Sequence, residues 1–189
     1  MENYNASENI AILRNGKKVL IRCLKEQDLD GLIEFFKQAP PEDVQFCRED
    51  VKDPRTVACW LTQENSRIIM ALVAIDLETN QPVASLNLYR GRHAASNVGE
   101  IQQVLVARSY QGLGLGSLIL DEMIGLAVRE RLSWLKVEVN AELKGVIKAF
   151  QSRGFEIRAT FEDYFHTMNG KTYDAALMIR SILPKEEGF

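Results

Sequence analysis

The amino-acid sequence predicts a mixed α/β fold whose central sheet is mostly antiparallel and flanked by helices. Segments with strand periodicity recur in pairs joined by short turns, the arrangement of antiparallel neighbours. Helical spacing occupies fewer stretches, set between those pairs. No linker, repeat or low-complexity tract divides the 189 residues. One domain spanning 1–189 is therefore expected, with residues 1–18 as an N-terminal extension and hairpin strand.

IAIL (10–13) and VLIRCL (19–24) flank RNGKK, and Asn15-Gly16 predicts a hairpin because both residues tolerate positive φ. In KEQDLDGLIEFFKQA, Leu29, Leu32, Ile33 and Phe36 share one helical face, and Pro40-Pro41 ends the helix. A short helix is expected after Asp53-Pro54, with Val57, Trp60 and Leu61 inward. RIIMALVAID (67–76) and PVASLNLY (82–89) read as strands joined by a turn at Thr79-Asn80-Gln81, and EIQQVLV (100–106) as another strand. The glycines and Ser117 to Glu130 form the longest helix, starting near Gly114 to Ser117, with Ile119, Leu120, Met123, Ile124 and Ala127 facing the core. WLKVEV (134–139) alternates as a strand, and the helix after it ends at Gly154. FEIRATFEDYF (155–165) and YDAALMIRSIL (173–183) make a last pair around Met168-Asn169-Gly170, a turn that Asp174 is expected to order rather than meeting substrate.

Composition narrows the function classes. With 46% hydrophobic and 26% charged residues the chain reads as a soluble globular protein. Net charge is −3 and the basic residues are scattered, which argues against nucleic-acid binding. No apolar run approaches the roughly 18 residues of a membrane span. The start, MENYNASENIAILRNGKK, lacks a signal-peptide pattern, so a cytoplasmic address is expected. Cys23, Cys47 and Cys59 form no disulfide or zinc spacing, and His93 and His166 no metal-binding pair; no metal is expected.

The stretch VLVARSYQGLGLGS (104–117) carries the chemistry. Bare backbone between a strand and a helix lets successive N–H groups point into one concavity, where the helix dipole adds positive character. Such a place suits a phosphate or pyrophosphate. No Gly-Lys-Ser/Thr follows, which excludes a Walker loop, and Ser117 stands where a dinucleotide GxGxxG fingerprint needs its last glycine.

Gln111-Gly112-Leu113-Gly114-Leu115-Gly116 has the form Gln/Arg-x-x-Gly-x-Gly/Ala, and Arg153-Gly154-Phe155 closes the next helix. On these residues the chain, from about Val19 to Leu183, resembles the GNAT superfamily of acetyl-CoA-dependent N-acetyltransferases, nearest in pattern to bacterial protein-lysine acetyltransferases. The resemblance implies a GNAT fold with two splayed strands and acetyl-CoA as co-substrate. It implies pyrophosphate held by Gln111, Gly112, Leu113, Gly114, Leu115, Gly116 and Ser117, and pantetheine paired along Val104, Leu105 and Val106. It further implies direct transfer of the acetyl group to an amine, on a small molecule or a protein lysine. Homodimers are common among relatives, and no feature here fixes that state. The strand before the loop agrees: apolar alternation through Ile101 breaks at Gln102-Gln103 and resumes as Val104 and Val106, as a β-bulge would make it.

An alkylamine with a pKa near ~10.4 must lose a proton before it attacks a thioester. Glu100, eleven residues before Gln111, occupies the offset of the glutamate base in similar lysine acetyltransferases. The Val104 N–H is the expected donor to the carbonyl oxygen. The Asn and the general-acid Tyr of many relatives fall at Leu143 and Phe150, with Asn140 three residues too early. Tyr110, Tyr164 and His166 are the substitute acids; without one, a non-catalytic acyl-CoA sensor or interaction domain is the alternative. Acceptor contacts are expected from segments 25–65 and 160–175.

Overall fold

Eight strands make one sheet in the order β1-β2-β3-β4-β5-β6-β8-β7. The computed structural model describes residues 8–62 and 69–182, so residues 1–7, 63–68 and Leu183 of the segments above lie outside it. The strands are β1 (Asn9–Ile12), β2 (Lys18–Cys23), β3 (Ile69–Asp76), β4 (Gln81–Arg90), β5 (Val98–Val106), β6 (Trp134–Asn140), β7 (Glu156–His166) and β8 (Thr172–Ser181). Helices α1 (Leu29–Gln38), α2 (Pro41–Val44) and α3 (Pro54–Cys59) lie between β2 and β3, α4 (Leu115–Arg129) joins β5 to β6, and α5 (Lys144–Gln151) joins β6 to β7. Strands β5 and β6 run parallel because α4 carries the chain back across the sheet; the other neighbours are antiparallel.

Each face of the sheet holds a core. On one, Ile119, Met123 and Ala127 of α4 and Ile147 and Phe150 of α5 pack against Leu72, Leu86, Leu88, Ile101 and Leu135. On the other, Leu32 and Phe36 of α1 with Val57 and Trp60 cover Val73 and Ile75, and the Phe36 and Trp60 rings meet edge-on at 5.7 Å. A buried ion pair ties β2 to the turn before α1: Arg22 Nη2 donates to Asp28 Oδ1 at 2.8 Å, with both residues under a tenth exposed. Among the described residues no helix is long and apolar enough to cross a membrane.

Three local expectations change. In the first hairpin only Gly16 takes positive φ (86°); Asn15 instead accepts the Lys17 N–H on its side chain at 3.1 Å. Pro40-Pro41 ends α1 and also starts α2, because proline fits a first helical turn. Helix α4 begins at Leu115, inside the expected start, with Gly114 in the left-handed region as its N-cap. Asp174 does not order the 168–170 turn. Its Oδ1 accepts the Asp163 N–H at 3.0 Å, where β7 is irregular and Asp163 itself has φ 50°. The turn is held by Asn169, which accepts from Thr167 Oγ1 at 2.6 Å and from the Lys171 N–H at 3.2 Å.

Candidate active site

The predicted bulge is present in β5. Asn87 faces Gln102 and Ser85 faces Leu105, so Gln103 and Val104 together stand opposite Leu86. Gln103 absorbs the extra residue at φ 55°. Its buried side chain accepts from Asn87 Nδ2 at 2.6 Å and donates to Glu49 Oε2 at 3.3 Å, an oxygen shared with the Tyr89 hydroxyl (2.7 Å) and Trp60 Nε1 (3.2 Å). The added residue inverts the strand's facing: Ile101 belongs to the α4 core, Leu105 to the α1–α3 core, and Val106 returns to α4.

Strands β5 and β6 pair only from Val98–Trp134 to Ile101–Val137. Beyond that they part, and the gap faces β5 backbone. The Ala107 N–H bonds Val83 of β4 at 2.9 Å, which turns the preceding carbonyl, that of Val106, toward the gap. There it accepts Gln111 Nε2 at 3.0 Å. Strand alternation points the Val104 peptide the same way.

The gap runs into a groove of about 900 Å³ whose floor is the glycine loop. Alternation within the loop explains its sequence: Leu113 and Leu115 pack into the α4 core while the glycines between them face outward. Gly112 (φ 72°) and Gly114 (φ 94°) occupy the left-handed region, and a Cβ on either would meet nothing within 4 Å, so it would project into open groove. Gly116 differs, being helical, with Val106 Cγ2 3.7 Å from where its Cβ would sit. The N–H groups of residues 112–116 find no acceptor among the described residues, while those of Ser117 and Leu118 turn back to the Gly114 carbonyl at 3.1 Å. The loop therefore presents donors and no side chains, as a pyrophosphate requires. Arg14, from the first hairpin, also lines the groove and holds the loop through Nη1 to the Gly112 carbonyl at 3.3 Å.

Two anchors hold the loop in place. Tyr110, directly before it, donates its hydroxyl to the fully buried Asp76, which also receives Lys17 Nζ at 3.3 Å. Arg153, just after α5, pairs with Asp121 of α4 and donates to the Ser117 carbonyl at 3.2 Å, while Gly154 (φ 79°) ends that helix and Phe155 packs on Phe150 at 5.1 Å.

Where β5 and β6 begin to part lies a second cavity of about 180 Å³, lined by Glu100, Val104, Glu138, Arg48 and Phe165 among others. Glu100 receives Arg48 Nη1 at 2.8 Å, Lys136 Nζ at 2.6 Å and Gln102 Nε2 at 2.7 Å. Burial pushes its pKa up, but the Lys136 ammonium, the Gln102 amide and the Arg48 guanidinium outweigh that and hold it below the usual carboxylate range. Arg48 also binds Glu138, which accepts the Tyr164 hydroxyl at 2.8 Å. Cys47 lines the same cavity, and burial, helped by Glu49, pushes its thiol up to about 11.

Of the residues considered as acids, Tyr110 is committed to Asp76 and Lys17, Tyr164 to Glu138, and His166 is exposed on β7. Leu143 and Phe150 both line the groove and carry no proton to give. Asn140, three residues short of the family's spacing, lies at the end of β6 in the walls of both cavities, its Oδ1 capping the Glu142 N–H at 2.9 Å. Tyr173 also lines the groove, edge-on to Phe46 at 5.3 Å. Arg14 and Glu138 had no signal in the sequence pattern, whereas Arg48 and Tyr173 fall inside the segments 25–65 and 160–175 expected to meet the acceptor. Among the described residues no group of His, Cys, Asp or Glu could hold a metal ion.

The family model described as the acetyltransferase (GNAT) family matches residues 29–155. Among solved structures, a ribosomal-protein-alanine N-acetyltransferase from Brucella melitensis is 25% identical, with a TM-score of 0.75 over 86% of this chain and 99% of its own. A Salmonella typhimurium protein solved with its cofactor acetyl-CoA is 17% identical, with a TM-score of 0.76 over 96% of this chain and 98% of its own. The acetyltransferase of GNAT family from Streptococcus pneumoniae is 21% identical, with a TM-score of 0.73 over 87% of this chain and 99% of its own. No curated protein matches the sequence.

Proposed function

Because the chain belongs to the GNAT family of acetyltransferases, we propose that it draws acetyl-CoA into the glycine-floored groove and passes the acetyl group directly to a primary amine, with Glu100 as the base. The observation that carries this reading is the β5 bulge. Beyond it, the Val104 and Val106 peptide groups face a gap that opens at one end on the glycine loop and at the other on Glu100.

Each part has a physical role. The unpaired N–H groups of residues 112–116 receive the pyrophosphate, with Arg14 beside them. The Val106 N–H pairs with the pantetheine arm, and the Val104 N–H donates to the thioester carbonyl oxygen as negative charge grows there. Glu100, ionised at neutral pH, takes the proton from the amine, directly or through one water; the amine nitrogen bonds the carbonyl carbon as the C–S bond breaks. The departing thiol, with a pKa near ~8.5 by analogy with cysteine, leaves tolerably as its anion, so Phe150 in place of an acid does not stop the reaction. Cys47, the one thiol lining the cavity among the described residues, stays protonated with its pKa pushed up to about 11, which favours direct transfer over an acyl-cysteine route.

The test is Glu100→Gln. Calorimetry should show unchanged acetyl-CoA affinity while turnover on an amine substrate falls by roughly 10²–10⁴. Unchanged turnover would remove Glu100 from this role. Acetyl-CoA binding by the wild-type chain with no transfer to any amine in a broad panel would favour the sensor reading.

A further inference from the structure

The second cavity already contains a cation, and that cation belongs to the protein. Arg48 sits on the loop between α2 and α3, its side chain 41% exposed, whereas the carboxylates it bridges stand on strands and are only 17% and 14% exposed. The acids are fixed by β5 and β6; the guanidinium is the removable member. If Arg48 swings into solvent, Glu100 keeps Lys136 and Gln102, and Glu138 keeps only the Tyr164 hydroxyl, so a half-buried carboxylate is left calling for a positive charge. The walls suit the stem of such a cation. Phe46, two residues before Arg48, meets Phe165 edge-on at 5.4 Å, and both rings line the cavity, an apolar surface along which methylenes pack behind a charged head. Volume restricts the occupant further. About 180 Å³ is close to the ~150 Å³ that holds one benzene and well short of the ~300–1,000 Å³ that drug-sized ligands fill, so a single arm fits and a folded molecule does not.

We propose that this cavity is the acceptor subsite, that it takes a primary alkylammonium arm between Glu100 and Glu138, and that the Arg48 guanidinium occupies the arm's place until the acceptor displaces it. The subsite rests on the acetyl-transfer reading above, and it gives that reading a sequence of events. Displacing Arg48 delivers the amine to Glu100 and at the same moment removes one of the cations that weaken this carboxylate as a base. An aminoalkyl arm occurs both on free polyamines and on protein lysines; the chemistry recognised is the same.

The experiment measures n-butylamine binding to the full chain without acetyl-CoA, by NMR titration, in the wild type, Glu138→Gln and Arg48→Ala. Glu138→Gln, which keeps shape and loses charge, should weaken binding about tenfold, the size of one charge-assisted hydrogen bond. Arg48→Ala should tighten it, by about tenfold if the guanidinium occupies the place nine-tenths of the time. The KM of acetyl transfer should move in the same two directions while acetyl-CoA affinity stays put. Unchanged binding in Glu138→Gln, weaker binding in Arg48→Ala, or a preference for aniline, which is uncharged at neutral pH, would overturn the proposal. Amine binding in the expected order without any transfer would instead defeat the acetyl-transfer reading and leave the subsite standing. Comparing putrescine with a lysine-containing peptide as acceptors then identifies the source of the arm.

Discussion

Asp76→Asn tests how the groove floor is held. Asp76 is fully buried at the end of β3, and its two oxygens collect four donors: the Tyr110 hydroxyl and Lys17 Nζ on one, the Glu78 and Thr79 N–H groups, at 2.7 and 3.1 Å, on the other. Asparagine keeps one carbonyl oxygen for the two N–H groups and puts an NH₂ where the phenol and the ammonium donate. Losing those interactions, one of them with an ammonium, should cost about 2 kcal/mol, or a melting temperature lower by ~4–8 °C in a chain of this size. The pH dependence separates this cause from a packing defect. Hydrogen bonding from Tyr110, against the opposing effect of burial, holds the Asp76 carboxyl at about 2, below its ordinary 3.8. A depressed folded pKa contributes stability that is complete above the unfolded value and is lost as pH falls toward the folded one. Urea unfolding of wild type and variant should therefore differ by the full amount at neutral pH, and the gap should close between pH ~4 and ~2. A neutral-pH difference under ~0.5 kcal/mol, or a gap as wide at pH ~3 as at pH ~7, would refute the reasoning. Because Tyr110 leads directly into Gln111, the variant should also bind acetyl-CoA more weakly.

Two further outcomes follow from particular residues. Gly114→Ala forces a Cβ onto a residue at φ 94° and into the groove, so it should cost about 1–2 kcal/mol and weaken acetyl-CoA binding by calorimetry, whereas Gly116→Ala, in helical backbone, should leave stability nearly unchanged. Asp28→Ala strands the buried Arg22 guanidinium without its partner and should lower unfolding stability by about 3–5 kcal/mol in urea titration.

The parts of the site that could be read from sequence are those made by neighbours in the chain. The glycine-leucine alternation of 112–116 records, residue by residue, which positions face the core and which face the groove. The break at Gln102-Gln103 records a change of facing within one strand. Both are statements about pleat and helix periodicity, which a sequence carries directly. The acidic cavity is different in kind. Arg48 and Glu138 are 90 residues apart, and Arg14 is 98 from the Gly112 it holds. Nothing local marks Glu138 among the polar positions of β6, since Lys136 and Glu138 follow the same strand alternation; only the parting of β5 and β6 makes their face an interior. Asp174 follows the same rule. It is near the 168–170 turn in sequence and bonded across the strand pair to Asp163, because β7 is irregular there.

The bulge at Gln103 also constrains how this chain can change in length. Between Gln102 and Leu105, β5 holds one residue more than its partner β4. Deleting Gln102 or Gln103 would restore an even pleat, leave Leu105 against Ser85 and Val106 against Ala84, and draw Glu100 one residue closer to Val104. Loops absorb insertions and deletions with little consequence. Here a single residue in mid-strand acts as a fixed spacer, so sequence drift can alter which side chains surround it but not how many residues lie between Glu100 and Val104.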